Sequence, residues 1–190
     1  AEDFEHFLHG FSQNTIWPLF HYFPQDTTYE DKAGEAYNSV NRLYAEKLAS
    51  VMEKGDILWI HDYHLLLLPK MMRELKPDVS IGLFIHIPWP SYEVFRLLPW
   101  RTEILEGMLG SDLIGFHTFG YVRHFLSSIR RLLGFDTIFN RISIEERTLM
   151  VDAFPKGIHY EKFEKELKAL KANGSSEDNE IREQLRSYIS

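Results

Sequence analysis

Two polar clusters sit directly behind apolar runs in this sequence. His61-Asp62-Tyr63-His64 follows Asp56-Ile-Leu-Trp-Ile60, and His86 follows Val79-Ser-Ile-Gly-Leu-Phe-Ile85. A carboxylate such as Asp62 accepts hydrogen bonds from sugar hydroxyls, and an imidazole such as His86 donates or accepts. Trp17, Tyr22, Trp89 and Trp100 offer flat apolar walls with N–H or O–H tips that can meet a polar ligand. A second reading stays open for each. Asp62 is a good N-cap for a helix that begins near Leu65, and Trp17-Pro-Leu-Phe20 is equally a core pattern. His61 and His64 are three apart, a spacing that ligates metal only on a helix and with a third ligand. His61 still belongs to the preceding run, so no metal site is expected. Arg123, Arg130 and Arg131 read as solvated residues of a surface helix.

The elements that must position these groups can be read from periodicity. Residues 31–54 predict a helix with an apolar stripe of Tyr37, Val40, Tyr44, Leu48 and Val51, ended by Gly55. Residues 56–61 and 79–87 are continuous apolar runs that suit strands buried on both faces. A helix over 65–75, closed by Lys76-Pro77, connects them. Pro88 and Pro90 end the second run and open a helix near Tyr92. Residues 101–109 continue as helix up to Gly110, 112–116 form a short strand, and Thr118 caps a helix reaching Leu133. Residues 147–154 make a last strand. This alternation implies βαβ units, hence a three-layer α/β, Rossmann-like domain with a mainly parallel sheet and helices on both faces. Ligands of such sheets bind beyond the carboxyl ends of the strands, where Asp62 and His86 fall. After Phe163 the chain becomes charged. It carries the loop signal Asn173-Gly-Ser-Ser176, then Ile181, Leu185 and Ile189 at helical spacing. The expected organisation is one domain over 1–163 and a charged linker or helix over 164–190.

Composition narrows the function classes. A chain of 190 residues fits one α/β domain, and 44% hydrophobic residues can fill its core. A net charge of -7 argues against nucleic acid or an anionic membrane as the main partner. No apolar run approaches the roughly 20 residues of a spanning helix. The sequence has no cysteine, which removes disulfides, thiol nucleophiles and thiolate metal sites and is compatible with the cytoplasm. Neither a dinucleotide nor a P-loop glycine motif is present. The start, Ala1-Glu2-Asp3, lacks a basic leader and an initiator Met, so a longer parent chain is expected.

Four motifs in order make a specific pattern. They are Trp17-Pro-Leu-Phe-His-Tyr22, Trp59-Ile-His-Asp-Tyr-His-Leu65, Ile81-Gly-Leu-Phe-Ile-His-Ile-Pro-Trp-Pro90 and Asp112-Leu-Ile-Gly-Phe-His-Thr118. Glu93-Val-Phe-Arg-Leu-Leu-Pro99 and Tyr121-Val-Arg-His-Phe-Leu126 link them. From about Phe11 to Phe163 the chain closely resembles the trehalose-6-phosphate synthases, retaining GT-B glycosyltransferases of family 20. The resemblance implies the N-terminal, acceptor-binding lobe of a GT-B fold. It implies glucose 6-phosphate as acceptor and UDP-glucose as donor, the donor held by a C-terminal domain beyond this chain. By resemblance Asp62 meets acceptor hydroxyls, His86 lies beside the reacting sugars, and Trp17 helps bind the acceptor phosphate. Asp62 and His86 are thus the expected catalytic pair. No cofactor or metal is implied, a homo-oligomer is compatible, and the cytoplasm is the expected location.

The sequence departs from the pattern in four places. The family's first strand, with its glycine loop and arginine, would precede Ala1, and the donor lobe would follow Gly157-Ile158-His159 and the tail. Leu8 stands where the family usually has a phosphate-binding tyrosine, and Gly34 where many members have a tryptophan. Leucine has no hydroxyl to replace that hydrogen bond. These departures motivate two alternatives: a non-catalytic sugar-phosphate sensor or regulatory domain, and a related GT-B enzyme with another acceptor.

Overall fold

The computed structural model of the chain describes residues 2–172. Residues up to Pro155 form one compact unit, and a second unit begins at Lys156. The first unit is built on a six-stranded sheet. Its strands are β1 (Ile57–His61), β2 (Ser80–Phe84), β3 (Leu113–Phe116), β4 (Thr137–Ile138), β5 (Arg141–Ile144) and β6 (Arg147–Ala153), in the order β1-β2-β3-β6-β5-β4. The first four in that order are parallel, and β5 and β4 add an antiparallel edge. The expected mainly parallel α/β sheet is therefore present. The β4–β5 hairpin has no counterpart in the sequence reading, because its turn is Phe139-Asn140 rather than a glycine pair. Both residues adopt positive φ, 45° and 61°, as a tight hairpin turn requires.

The connecting helices are α4 (Leu68–Leu75) between β1 and β2, α5 (Tyr92–Phe95) and α6 (Arg101–Met108) between β2 and β3, and α7 (Phe119–Leu133) after β3. Strand order advances in one direction from β1 to β6, so right-handed crossovers put α4, α6 and α7 on the same face, rather than on both as the alternation implied. That face holds the buried set Ile60, Ile81, Leu83, Ile114, Phe116 and Val151. Among the described residues, the opposite face is paved with aromatics over glycine. The Trp59 ring lies on Gly82 and the Phe84 ring on Gly115, so close that a Cβ at either glycine would sit 2.4 Å or 2.6 Å from the ring. Strand β1 was expected to be buried on both faces. It is the sheet edge instead, with Ile57 73% and Trp59 49% exposed. Its inward and outward positions are both apolar, so alternation left no trace in the sequence.

Before the sheet, α1 (Glu2–Glu5), a π-helix (His6–Ile16) and α2 (Trp17–Phe20) run on into one another, followed by α3 (Asp31–Val51). The α3 stripe differs from the predicted one. Tyr44 and Val51 are exposed, and the buried face is Ala33, Ala36, Tyr37, Asn41 and Ala45. Small residues win because the π-helix comes close: a Cβ at Gly10 would lie 3.0 Å from the Ala33 methyl. The helix ends at Val51, and Gly55 (φ 98°) serves the turn beyond it. The buried polar groups of α3 clamp the loop after β1. The Tyr37 hydroxyl donates to the Tyr63 carbonyl (2.7 Å) and accepts from the Leu66 N–H (2.9 Å). Asn41 accepts from the Leu67 N–H (3.2 Å) and donates to the His64 carbonyl (3.3 Å). Burial holds the Tyr37 phenol well above its ordinary pKa, so it stays protonated and able to donate.

Thr118 caps α7 as expected, accepting from the Tyr121 N–H, and left-handed Gly134 ends it. In the second unit, α8 spans Tyr160–Ala172. The loop at Asn173–Ser176 and the spacing of Ile181, Leu185 and Ile189 lie outside the described residues. Among the described residues no helix is long and apolar enough to cross a membrane.

Candidate functional site

Asp62 follows the last residue of β1 and closes the ladder to β2 with its own N–H, 2.7 Å from the Phe84 carbonyl. Its backbone then takes φ 67° and ψ -175°, a region that is essentially glycine's. An aspartate there costs about 1–3 kcal/mol of strain. The turn aims the carboxylate back across the strand end. Its Oδ1 accepts from the Tyr63 N–H (3.0 Å) and the His86 N–H (3.3 Å). Asp62 therefore does cap, but it caps the 3-10 turn Tyr63–Leu65, and α4 starts only at Leu68. A capping aspartate needs no positive φ, so capping alone leaves the strain unexplained.

His86 stands two residues beyond β2, its main chain held by Asp62. Its Nε2 is 3.0 Å from Nδ1 of His61, with the ring planes 21° apart. The His117 ring, just past β3, lies 5.5 Å away, and Phe84 lies 4.8 Å away. In the sequence alone His61 stands out only for its metal-like spacing to His64. The β1–β2 register, in which His61 faces Phe84, could have paired it with His86. On the other side of Asp62 the Tyr63 ring stacks on His64 (4.1 Å) and meets Trp17 (5.9 Å). Trp17 is 46% exposed, and its carbonyl takes a hydrogen bond from His21 Nδ1 (2.7 Å). Burial lowers the His64 pKa below the ordinary imidazole value, partly offset by the Asp62 charge. Burial also raises the Tyr63 phenol, with a smaller push from Asp62.

All three predicted residues thus gather at the carboxyl ends of β1 and β2, where open α/β sheets bind ligands. The aromatic walls divide. Tyr22 is 49% exposed, adopts φ 66° and accepts the Ser91 N–H through its hydroxyl (2.8 Å). Trp89 is fully buried among Phe20, Phe95, Phe116 and Phe125, so it is core. Trp100 packs edge-on to Phe11 and fills the space over Gly34, where a Cβ would sit 2.6 Å from its ring. Leu8 is half-buried against the core. Of the arginines, Arg131 lies over the Tyr92 ring at 4.7 Å and near Glu93 (3.6 Å). Arg130 donates to Thr137. Among the described residues no group of three His, Cys, Asp or Glu side chains is placed to hold a metal.

A family model described as Glycosyltransferase family 20 matches residues 1–189. The chain belongs to glycosyltransferase family 20. Similar members of family 20 include the UDP-forming alpha,alpha-trehalose-phosphate synthase of Emericella nidulans. It is 50% identical over 163 residues, which cover 84% of this chain and 32% of that protein. The chain therefore spans about a third of this curated relative. Among solved structures, a UDP-forming synthase from Burkholderia xenovorans superposes with a TM-score of 0.85 at 32% identity, covering 98% of this chain and 41% of that one. A Burkholderia xenovorans synthase in complex with glucose-6-phosphate gives 0.80 at 31%, covering 90% and 39%. The N-terminal domain of Candida albicans trehalose-6-phosphate phosphatase gives 0.75 at 38%, covering 95% and 37%. The fold is that of the Rossmann-like N-terminal lobe of these GT-B family 20 proteins.

Proposed function

We propose that this chain is the acceptor lobe of a UDP-forming trehalose-phosphate synthase, with Asp62, His86 and Trp17 contacting glucose 6-phosphate and the reacting sugars. The observation that carries the reading is Asp62. It is held in a glycine-like backbone conformation at the strand ends, with its carboxylate beside His86 and with Trp17 one ring away across Tyr63. Strain of this kind persists at sites where a group must be aimed at a ligand. In the reaction the bond from the donor's anomeric carbon to UDP breaks, a bond to the acceptor hydroxyl forms, and that hydroxyl gives up its proton. A carboxylate and an imidazole at the junction orient the acceptor hydroxyls and hydrogen-bond the sugars as charge builds. Residues 1–163 would form the lobe and 164–190 the passage toward a donor-binding domain. UDP-glucose would be held by that domain, and the protein would work in the cytoplasm.

The groups that neutralise the departing UDP would lie in the donor lobe, so residues 1–190 alone should give no trehalose 6-phosphate. Robust turnover by the purified chain would refute that division of labour. A second reading is a non-catalytic sugar-phosphate domain. Leu8 favours it, since it cannot hydrogen-bond a phosphate, as does the likeness to a domain of a trehalose-6-phosphate phosphatase. Assay of the full-length protein with UDP-glucose and glucose 6-phosphate separates the two: turnover supports the synthase, and binding without turnover supports the second reading.

A further inference from the structure

We propose that His61 is a positioning residue for His86, fixing its ring and deciding which of its nitrogens carries the proton that the bound sugar meets. The inference rests on the reading of His86 given above and extends it to a residue outside the Asp62, His86 and Trp17 set.

Strands β1 and β2 pair so that His61 faces Phe84, and alternation returns His86 to the same side of the sheet. The two rings meet side by side, Nδ1 of His61 3.0 Å from Nε2 of His86, nearly coplanar at 21°. Each ring is also supported from behind. The Trp59 indole meets His61 edge-on at 5.8 Å, and that indole is itself seated on Gly82. Phe84 and His117 flank His86, and Asp62 holds its main chain. An exposed imidazole otherwise turns over a broad, roughly two-fold torsional profile. Here the hydrogen bond and the ring contacts select one orientation.

The bond between two imidazoles contains one proton, because one nitrogen must donate and the other accept. If His61 donates, neutral His86 carries its proton on Nδ1 and offers a donor there. If His86 donates, its Nδ1 is an acceptor. Through this shared proton the state of His61 constrains the tautomer of neutral His86. A sugar hydroxyl that meets the His86 ring must suit that tautomer.

The test uses imidazole 15N shifts, which report where each ring proton sits, and steady-state kinetics. In the chain with 15N-labelled histidine, His61→Ala should change the His86 pair of shifts. His61→Asn, whose amide stands near the Nδ1 position, should restore them in part. An unchanged His86 pattern in His61→Ala overturns the proposal. In the full-length enzyme, His61→Ala should lower kcat about tenfold with KM within about twofold, and His61→Asn should recover most of it, the range expected for one lost hydrogen bond. Thermal melts should coincide with wild type, since His61 is exposed. Equal losses in His61→Ala and His61→Asn overturn the proposal. His86→Ala is the reference: if it turns over normally, the site reading itself fails. If it is impaired while His61→Ala is not, only the inference about His61 fails.

Discussion

Replacing Asp62 by glycine and by alanine separates a strained functional group from a structural cap. The wild-type side chain does two opposed things. Its Oδ1 accepts two backbone N–H groups, at 3.0 Å and 3.3 Å, and hydrogen bonds to a charged acceptor contribute about 1.5–3 kcal/mol. Its backbone, at φ 67° and ψ -175°, costs about 1–3 kcal/mol for any residue with a Cβ. Asp62→Ala loses both hydrogen bonds, each worth about 1.5–3 kcal/mol, and keeps the strain, so it should be destabilised by about 3–6 kcal/mol. Asp62→Gly loses the same bonds but sheds the strain, so it should be more stable than Asp62→Ala by up to about 1–3 kcal/mol, less the entropy cost of glycine. For a chain of this length 1 kcal/mol is about 2–4 °C, so the glycine variant should melt at least about 2 °C above the alanine variant. Both should bind glucose 6-phosphate about tenfold to a hundredfold more weakly, the worth of one charge-assisted hydrogen bond. Scanning calorimetry and titration calorimetry read the two quantities. If the two variants melt together, the strain argument is wrong. If the well-folded glycine variant binds glucose 6-phosphate like wild type, the carboxylate does not meet the sugar.

Three other outcomes follow from the packing. The His64 pKa is lowered by burial, so the unfolded chain binds its proton first; stability should decline as pH falls through about 6.5 toward the lower folded value, and His64→Gln should flatten that slope in pH-dependent melts. Trp89→Phe should stay within about 1.5 kcal/mol of wild type in denaturant melts despite its smaller ring, because it removes a buried Nε1–H that has no partner among the described residues, whereas Trp89→Ala should cost about 3–5 kcal/mol. Phe139→Asn should stabilise the β4–β5 hairpin by about 0.5–1 kcal/mol, since Phe139 is 94% exposed at φ 45° and asparagine tolerates that turn; a lower Tm would show that the ring has a contact partner.

The carboxyl-end rule and the apolar runs place Asp62 and His86 on one rim, because strand ends leave local signals. The glycine-like backbone of Asp62 left none, since an aspartate at a strand end looks the same whether its φ is negative or positive. The α3 face was misread for a related reason. Periodicity weighs large apolar residues such as Tyr44, while the buried face is built on Ala33, Ala36 and Ala45, with the π-helix close against Ala33 at Gly10. Trp89 and Trp17 were grouped together as site walls, and only tertiary packing separates a ring ringed by four phenylalanines from one left 46% exposed. His61 carries no local signal of its role, because its partner is 25 residues away across a strand pair. Its geometry needs register, which a single sequence does not print.

On the proposed function, glucose 6-phosphate binds at the strand-end rim. This is tested by adding that ligand to the 15N-labelled chain and following the spectra. Concentration-dependent shifts are expected for the Trp17 indole and the Asp62, Tyr63 and His86 amides, reduced in Asp62→Gly. The contradicting result is shifts confined to the opposite strand ends, around the recess of about 460 Å³ lined by Met52, Asp56, Pro77 and Ser80, with the rim unmoved.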